Sequence, residues 1–96
     1  MTLRELVRSR RRQIISIAAR YGARDVRLFG SVARDDSAAD SDIDILVRLE
    51  AGRSLLDLIA VKQDLEDLLG RSVDVVTEAS VSPYFREMVL GEAVPL

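Results

Sequence analysis

The stretch Ser41-Asp42-Ile43-Asp44-Ile45-Leu46-Val47 holds the residue types best suited to chemistry in this sequence. Side chains alternate across a strand, so Asp42 and Asp44 share one face while Ile43, Ile45 and Val47 share the other. Two aspartates at i and i+2 put their Cα atoms about 6.5 Å apart, close enough to converge on one hard cation or bridge a pair. Two such ions can hold the attacking and leaving oxygens of an in-line phosphoryl displacement. Mg²⁺ is satisfied by a few carboxylates with phosphate oxygens and water. It needs neither histidine nor cysteine, and the chain contains neither. The plainer alternative is a half-buried strand with a polar outer face, the usual meaning of a bare Asp-x-Asp. Against it, Asp is disfavoured in strands, and two like charges on one face repel without a counter-ion.

Three further features suit the same chemistry. In Phe29-Gly30-Ser31, glycine lets the backbone approach a phosphate, the N–H groups of a following helix attract anions, and the Ser31 hydroxyl can bond a phosphate oxygen. Taken alone, Gly-Ser is an ordinary turn. Asp74 lies inside the apolar run Val73-Asp74-Val75-Val76, where an acid must be solvated, paired or bound to metal. Arg34 follows the Gly-Ser pair, and its planar fork suits a phosphate, or equally a salt bridge to Asp35, Asp36 or Asp40.

The elements that must position these residues come next. Thr2 with Glu5 predicts a capping box and a first helix to about Ala19, with Leu3, Leu6, Val7, Ile14, Ile17, Ala18 and Tyr21 at helical spacing. Val26 to Phe29 predicts a short strand, residues 31–34 a short helix and 35–41 a polar loop. Ile43 to Leu49 is the clearest strand. Ser54 caps a helix with Leu55, Leu58, Ile59, Leu65 and Leu69 on one side, ended by Gly70. Residues 72–76 predict a strand, and Ser82-Pro83 opens a last helix to about Leu90. No repeat or linker interrupts residues 1–96, which predict one α/β domain with helices on a small sheet. Its last helix carries Tyr84, Phe85, Met88, Val89 and Leu90, more apolar surface than one core face needs. The remainder, with Val94 and Leu96, is expected to form part of a protein interface.

Composition narrows the functions. The net charge of −2 gives no overall reason to expect nucleic-acid binding. Arg4, Arg8, Arg10, Arg11 and Arg12 crowd the N-terminus, where a solvated helix face is the expected reading and contact with RNA or a partner the alternative. The lack of cysteine suits a reducing, cytoplasmic setting. No stretch approaches the roughly 20 apolar residues of a membrane span, and the polar, Arg-rich start is unlike a signal peptide. Without histidine, catalysis must rest on carboxylates, hydroxyls, arginine and bound metal. Ninety-six residues leave little room for the walls of a small-molecule pocket, so a large substrate would complete the site from another chain.

Taken together, Gly30-Ser31, ten intervening residues, Asp42-x-Asp44 and a later strand aspartate at Asp74 resemble the nucleotidyltransferase superfamily. Leu28-Phe29-Gly30-Ser31-Val32-Ala33-Arg34 with Ser41 to Val47 is most similar to the minimal nucleotidyltransferase (MNT) proteins of prokaryotes. The resemblance extends over Val73-Asp74-Val75-Val76-Thr77 and the ending Glu92-Ala93-Val94-Pro95-Leu96. It implies a nucleotidyltransferase fold, a small mixed β-sheet with flanking helices, and an ATP site at Gly30, Ser31 and Arg34. It also implies Mg²⁺, as two ions, on Asp42, Asp44 and Asp74, with Asp74 helping to deprotonate the attacking hydroxyl. Members of this family serve as antitoxins beside a HEPN-domain toxin, and some transfer AMP to a toxin tyrosine. A hetero-oligomer with such a toxin is therefore the implied assembly. Antitoxins that act by docking alone, and transferases acting on a small molecule or RNA with partner subunits, are the alternatives. One departure is Asp35, where a glycine commonly follows the arginine; it adds negative charge near the phosphates.

Overall fold

The computed structural model describes residues 1–38 and 40–96; the part of the expected 35–41 loop at Ala39 lies outside them. The capping box forms as the sequence predicts: the Glu5 amide donates to Thr2 Oγ1 at 3.1 Å and the Thr2 amide to Glu5 Oε1 at 3.4 Å. The first helix does not run on to Ala19, however. It divides into α1 (Leu3–Ser9) and α2 (Arg11–Arg20). Arg10 leaves helical geometry, with φ −109° and ψ 13°, while the Ser9 hydroxyl donates to the Leu6 carbonyl at 2.7 Å. A serine bonded back to its own helix competes with the backbone ladder, and the arginines that follow bury nothing that would hold the turn straight. Arg8, Arg10, Arg11 and Arg12 are exposed, as expected of a solvated face, whereas Arg4 is partly buried.

Strand β1 (Ala23–Phe29) begins three residues earlier than the apolar pattern predicts. Its register against β2 (Ile43–Leu49) runs from Arg24 opposite Arg48 to Arg27 opposite Leu46, so one extra residue is inserted in β1. Asp25 absorbs this bulge at φ 50°. The bulge places Arg24 and Asp25 both in solvent and hides the strand from an alternation test. The single turn α3 (Gly30–Arg34) then leads towards β2. Helix α4 (Leu55–Leu69), capped by Ser54 and closed by Gly70 in the left-handed region at φ 65°, leads to β3 (Val73–Thr77). A 3₁₀ turn, Glu78–Ser80, precedes α5 (Pro83–Glu92). Val94–Pro95 forms β4, an edge pairing where proline is tolerated and which apolar patterning does not predict.

The sheet order is β3-β2-β1-β4, with β2 parallel to β3 and β1 antiparallel to both β2 and β4. This is the mixed sheet with flanking helices that the sequence led one to expect. The core gathers Ile43, Ile45 and Val47 of β2 with Leu28, Val73, Ile14, Ala18, Val61 and Leu65, most of them wholly buried. In α4, Leu58, Leu65 and Leu69 serve this core as expected, but Leu55 and Ile59 at its start are exposed, and Val61 replaces them. Val94 and Leu96, expected to contribute to an interface, are partly buried and pack against the core. Among the described residues no helix is long and apolar enough to cross a membrane.

Candidate active site

The sheet register assembles the site. Phe29, the last residue of β1, lies opposite Asp44 near the start of β2, and Asp44 in turn lies opposite Asp74 near the start of β3. Because β1 runs against the other two strands, its end and their beginnings meet at one edge of the sheet. Residues directly opposite share a face. Asp44 and Asp74 therefore stand side by side on the face away from Ile43, Ile45 and Val47, as the alternation of β2 requires. Asp42 lies one residue before β2 and is exposed, as is Asp74, whereas Asp44 is half-buried. This face is not wholly polar, because Leu46, two residues beyond Asp44, is fully buried.

Burial pushes the Asp44 carboxyl up to about 6; the charges of Asp74 and then Asp42 push the same way, while Arg34 pulls it down. Burial and the neighbouring carboxylates thus outweigh the pull of Arg34, and the charged form of Asp44 is disfavoured. The donor set fits Mg²⁺, which takes hard oxygen ligands and would relieve that repulsion. Among the described residues no three acidic groups form a ready cage for a cation. The coordination would thus be completed by oxygens from outside the chain, as is usual where Mg²⁺ travels with phosphates.

Gly30 bears directly on Asp44. It sits in the left-handed region at φ 74°, and a Cβ there would collide with Asp44 Oδ2 and stand 3.1 Å from Cγ. The glycine thus provides both the turn after β1 and the space for the carboxylate. Phe29 caps α3 without a side-chain hydrogen bond to the first N–H groups of that turn. Ser31 is partly exposed beside them. Asp35 caps the end of α3 at φ 61° and ψ 33°, a left-handed conformation for which glycine is the usual residue and aspartate one of the few others tolerated.

Of the partners the sequence offered Arg34, the structure selects Asp36, to which Nε donates at 3.2 Å. Two acceptors were not foreseen: Nη1 donates to both carboxylate oxygens of Glu92, at 3.0 and 3.1 Å. These bonds raise the Arg34 pKa further. Lys62 was also missed. Its Nζ donates to the Val73 carbonyl at 2.8 Å and lies 3.8 Å from Asp74 Oδ1. Its one sequence signal is that it is the chain's sole lysine, on the helix leading to the Asp74 strand.

Residues 11–96 match the nucleotidyltransferase domain family. A solved structure described as a candidate minimal nucleotidyltransferase superposes with a TM-score of 0.89 at 51% identity, covering 100% of this chain and 97% of that one. A protein of Thermococcus cleftensis named protein adenylyltransferase MntA is 43% identical over 75 residues, 78% of this chain and 76% of the relative. A crystal structure of a toxin–antitoxin pair containing an MntA protein matches with a TM-score of 0.71 at 25% identity, over 90% of this chain and 69% of that one. The chain belongs to the nucleotidyltransferase domain family, as one of its minimal members, and is a nucleotidyltransferase.

Proposed function

We propose that this protein transfers AMP from ATP to a hydroxyl of a partner HEPN-domain toxin, a tyrosine hydroxyl in particular, and so acts as an antitoxin in the cytoplasm. The observation that carries this reading is the register that sets Asp44 beside Asp74 with Gly30 against the Asp44 carboxylate. The name of the Thermococcus cleftensis relative supports protein as acceptor, and the matching toxin–antitoxin structure supports a toxin as that protein.

In this mechanism Gly30, Ser31 and Arg34 hold the triphosphate. Asp42, Asp44 and Asp74 would hold Mg²⁺, two ions by the family pattern, which offset the phosphate charge when bound. Asp74, exposed at the start of β3, accepts the proton of the attacking hydroxyl. The hydroxyl oxygen bonds to the α-phosphorus as the bond to the bridging oxygen breaks, and pyrophosphate leaves with that electron pair. The open face around Asp74 suits an acceptor carried on another protein.

Incubation with ATP labelled at the α-phosphate, Mg²⁺ and the product of the neighbouring gene, as the proposed toxin, tests the reading. Label on the toxin that disappears with an Asp44→Asn variant is the expected result. A toxin silenced without label would replace it with neutralisation by docking, and label on RNA or a small molecule would replace the acceptor.

A further inference from the structure

We infer that Glu92, the last residue of α5, is a positioning residue that sets the Arg34 guanidinium for the nucleotide. The inference rests on the nucleotide-transfer reading and adds a residue to its machinery. Two carboxylates hold Arg34 from two sides of the guanidinium, Asp36 at Nε and Glu92 at Nη1. Among the described residues Nη2, which lies between them, has no such acceptor, so its N–H groups are available to an anionic oxygen.

Glu92 is poorly explained by its own helix. An acid in the last turn opposes the helix dipole, which favours a cation there. Its side chain is about three-quarters buried, whereas the Arg34 side chain is 46% exposed, so the acid is the fixed member of the pair. A pair lying merely at the surface would contribute little to stability. Its use is to remove rotamer freedom from a long side chain before the ligand arrives, which is how preorganisation raises affinity.

The test compares wild type with Glu92→Gln, Glu92→Ala, Arg34→Ala and the Arg34→Ala, Glu92→Ala double variant. Affinity for an ATP analogue that cannot be cleaved at the α–β bond is measured by calorimetry with Mg²⁺, alongside thermal melts. Glu92→Gln is expected to weaken binding about threefold and Glu92→Ala about tenfold, with melting temperatures within a few degrees of wild type. The double variant is expected to bind no worse than Arg34→Ala. Unchanged affinity in Glu92→Ala, or losses that add in the double variant, would overturn the role. A second readout needs no nucleotide: the Arg34 Nε–H signal in NMR is expected to be ordered in wild type and averaged in Glu92→Ala. An Arg34 already averaged in wild type overturns the inference and leaves AMP transfer standing. A wild type with ordered Arg34 that fails to bind the analogue overturns the nucleotide reading, and with it the use assigned to Glu92.

Discussion

Gly30 shows how one missing methyl group can matter to a charged site. Its left-handed φ would cost alanine about 1 kcal/mol or more. The added Cβ would also force the Asp44 carboxylate to turn away. Because that carboxylate is the end of a side chain, the fold can yield by rotating it, so Gly30→Ala should stay folded. We expect a loss of about 1–2 kcal/mol in urea unfolding, with AMP transfer falling by far more than that loss explains. A variant that transfers AMP at the wild-type rate would show that the Asp44 rotamer seen here is dispensable. Residues of this kind were legible in the sequence because their meaning is local: Gly-Ser, Asp-x-Asp and an acid in an apolar strand are patterns of neighbours. Lys62 and Glu92 were not, because each acquires its meaning from a partner elsewhere in the chain. Glu92 meets Arg34 across 58 positions, and only the completed fold defines that contact.

Among the elements, those with one undisturbed period were the legible ones. Strand β2 and the capped helix α4 lie where alternation and Ser54–Gly70 place them. The bulge in β1 interrupts a period of two, and the break at Arg10 interrupts an apolar repeat that carries straight on, so neither shows in the pattern. Helix α5 is the reverse case: its composition is plain, and what it lacks is a surface to pack on. Tyr84 is 94% exposed, Phe85 56% and Met88 54%, while Val89 alone of its residues is buried. Tyr84, Phe85 and Met88 lie within one turn of each other and form an apolar patch at the helix surface. We expect this patch to meet the partner toxin. A Tyr84→Ala, Met88→Ala double variant should keep its melting temperature within a few degrees, because neither side chain is buried, and weaken toxin binding at least tenfold. Unaltered binding by surface plasmon resonance would move the interface elsewhere, with the exposed Leu55 and Leu56 of α4 the next face to alter.

For the molecule as a whole, the site opposes the stability of a domain with a small core. The Asp44 carboxyl is raised to about 6, above the ordinary carboxylate range, so the folded state holds a proton that the unfolded chain gives up nearer pH 4. Below about pH 4 both states are protonated and the site costs nothing. As pH rises through 6 the folded state must accept the charge, and stability is lost. Asp44→Asn removes the charge and keeps the shape. In EDTA at pH 7 it should therefore melt at or above wild type, by about 1 kcal/mol at most because solvent screens a half-exposed group, and the difference should close towards pH 4. Mg–ATP reverses the order. At a hundred times its dissociation constant a ligand adds about 2.7 kcal/mol to the state that binds it, which for a domain this size is roughly 10 °C or more in melting temperature. Wild type should show that gain and Asp44→Asn little of it, whereas a carboxylate that merely faced water would leave the two proteins shifting together. Thermal unfolding of both proteins at pH 4.5 and pH 7, with EDTA and with Mg–ATP, reads all of these differences. Equal Mg–ATP stabilisation of the two proteins at pH 7 would remove Asp44 from the metal site.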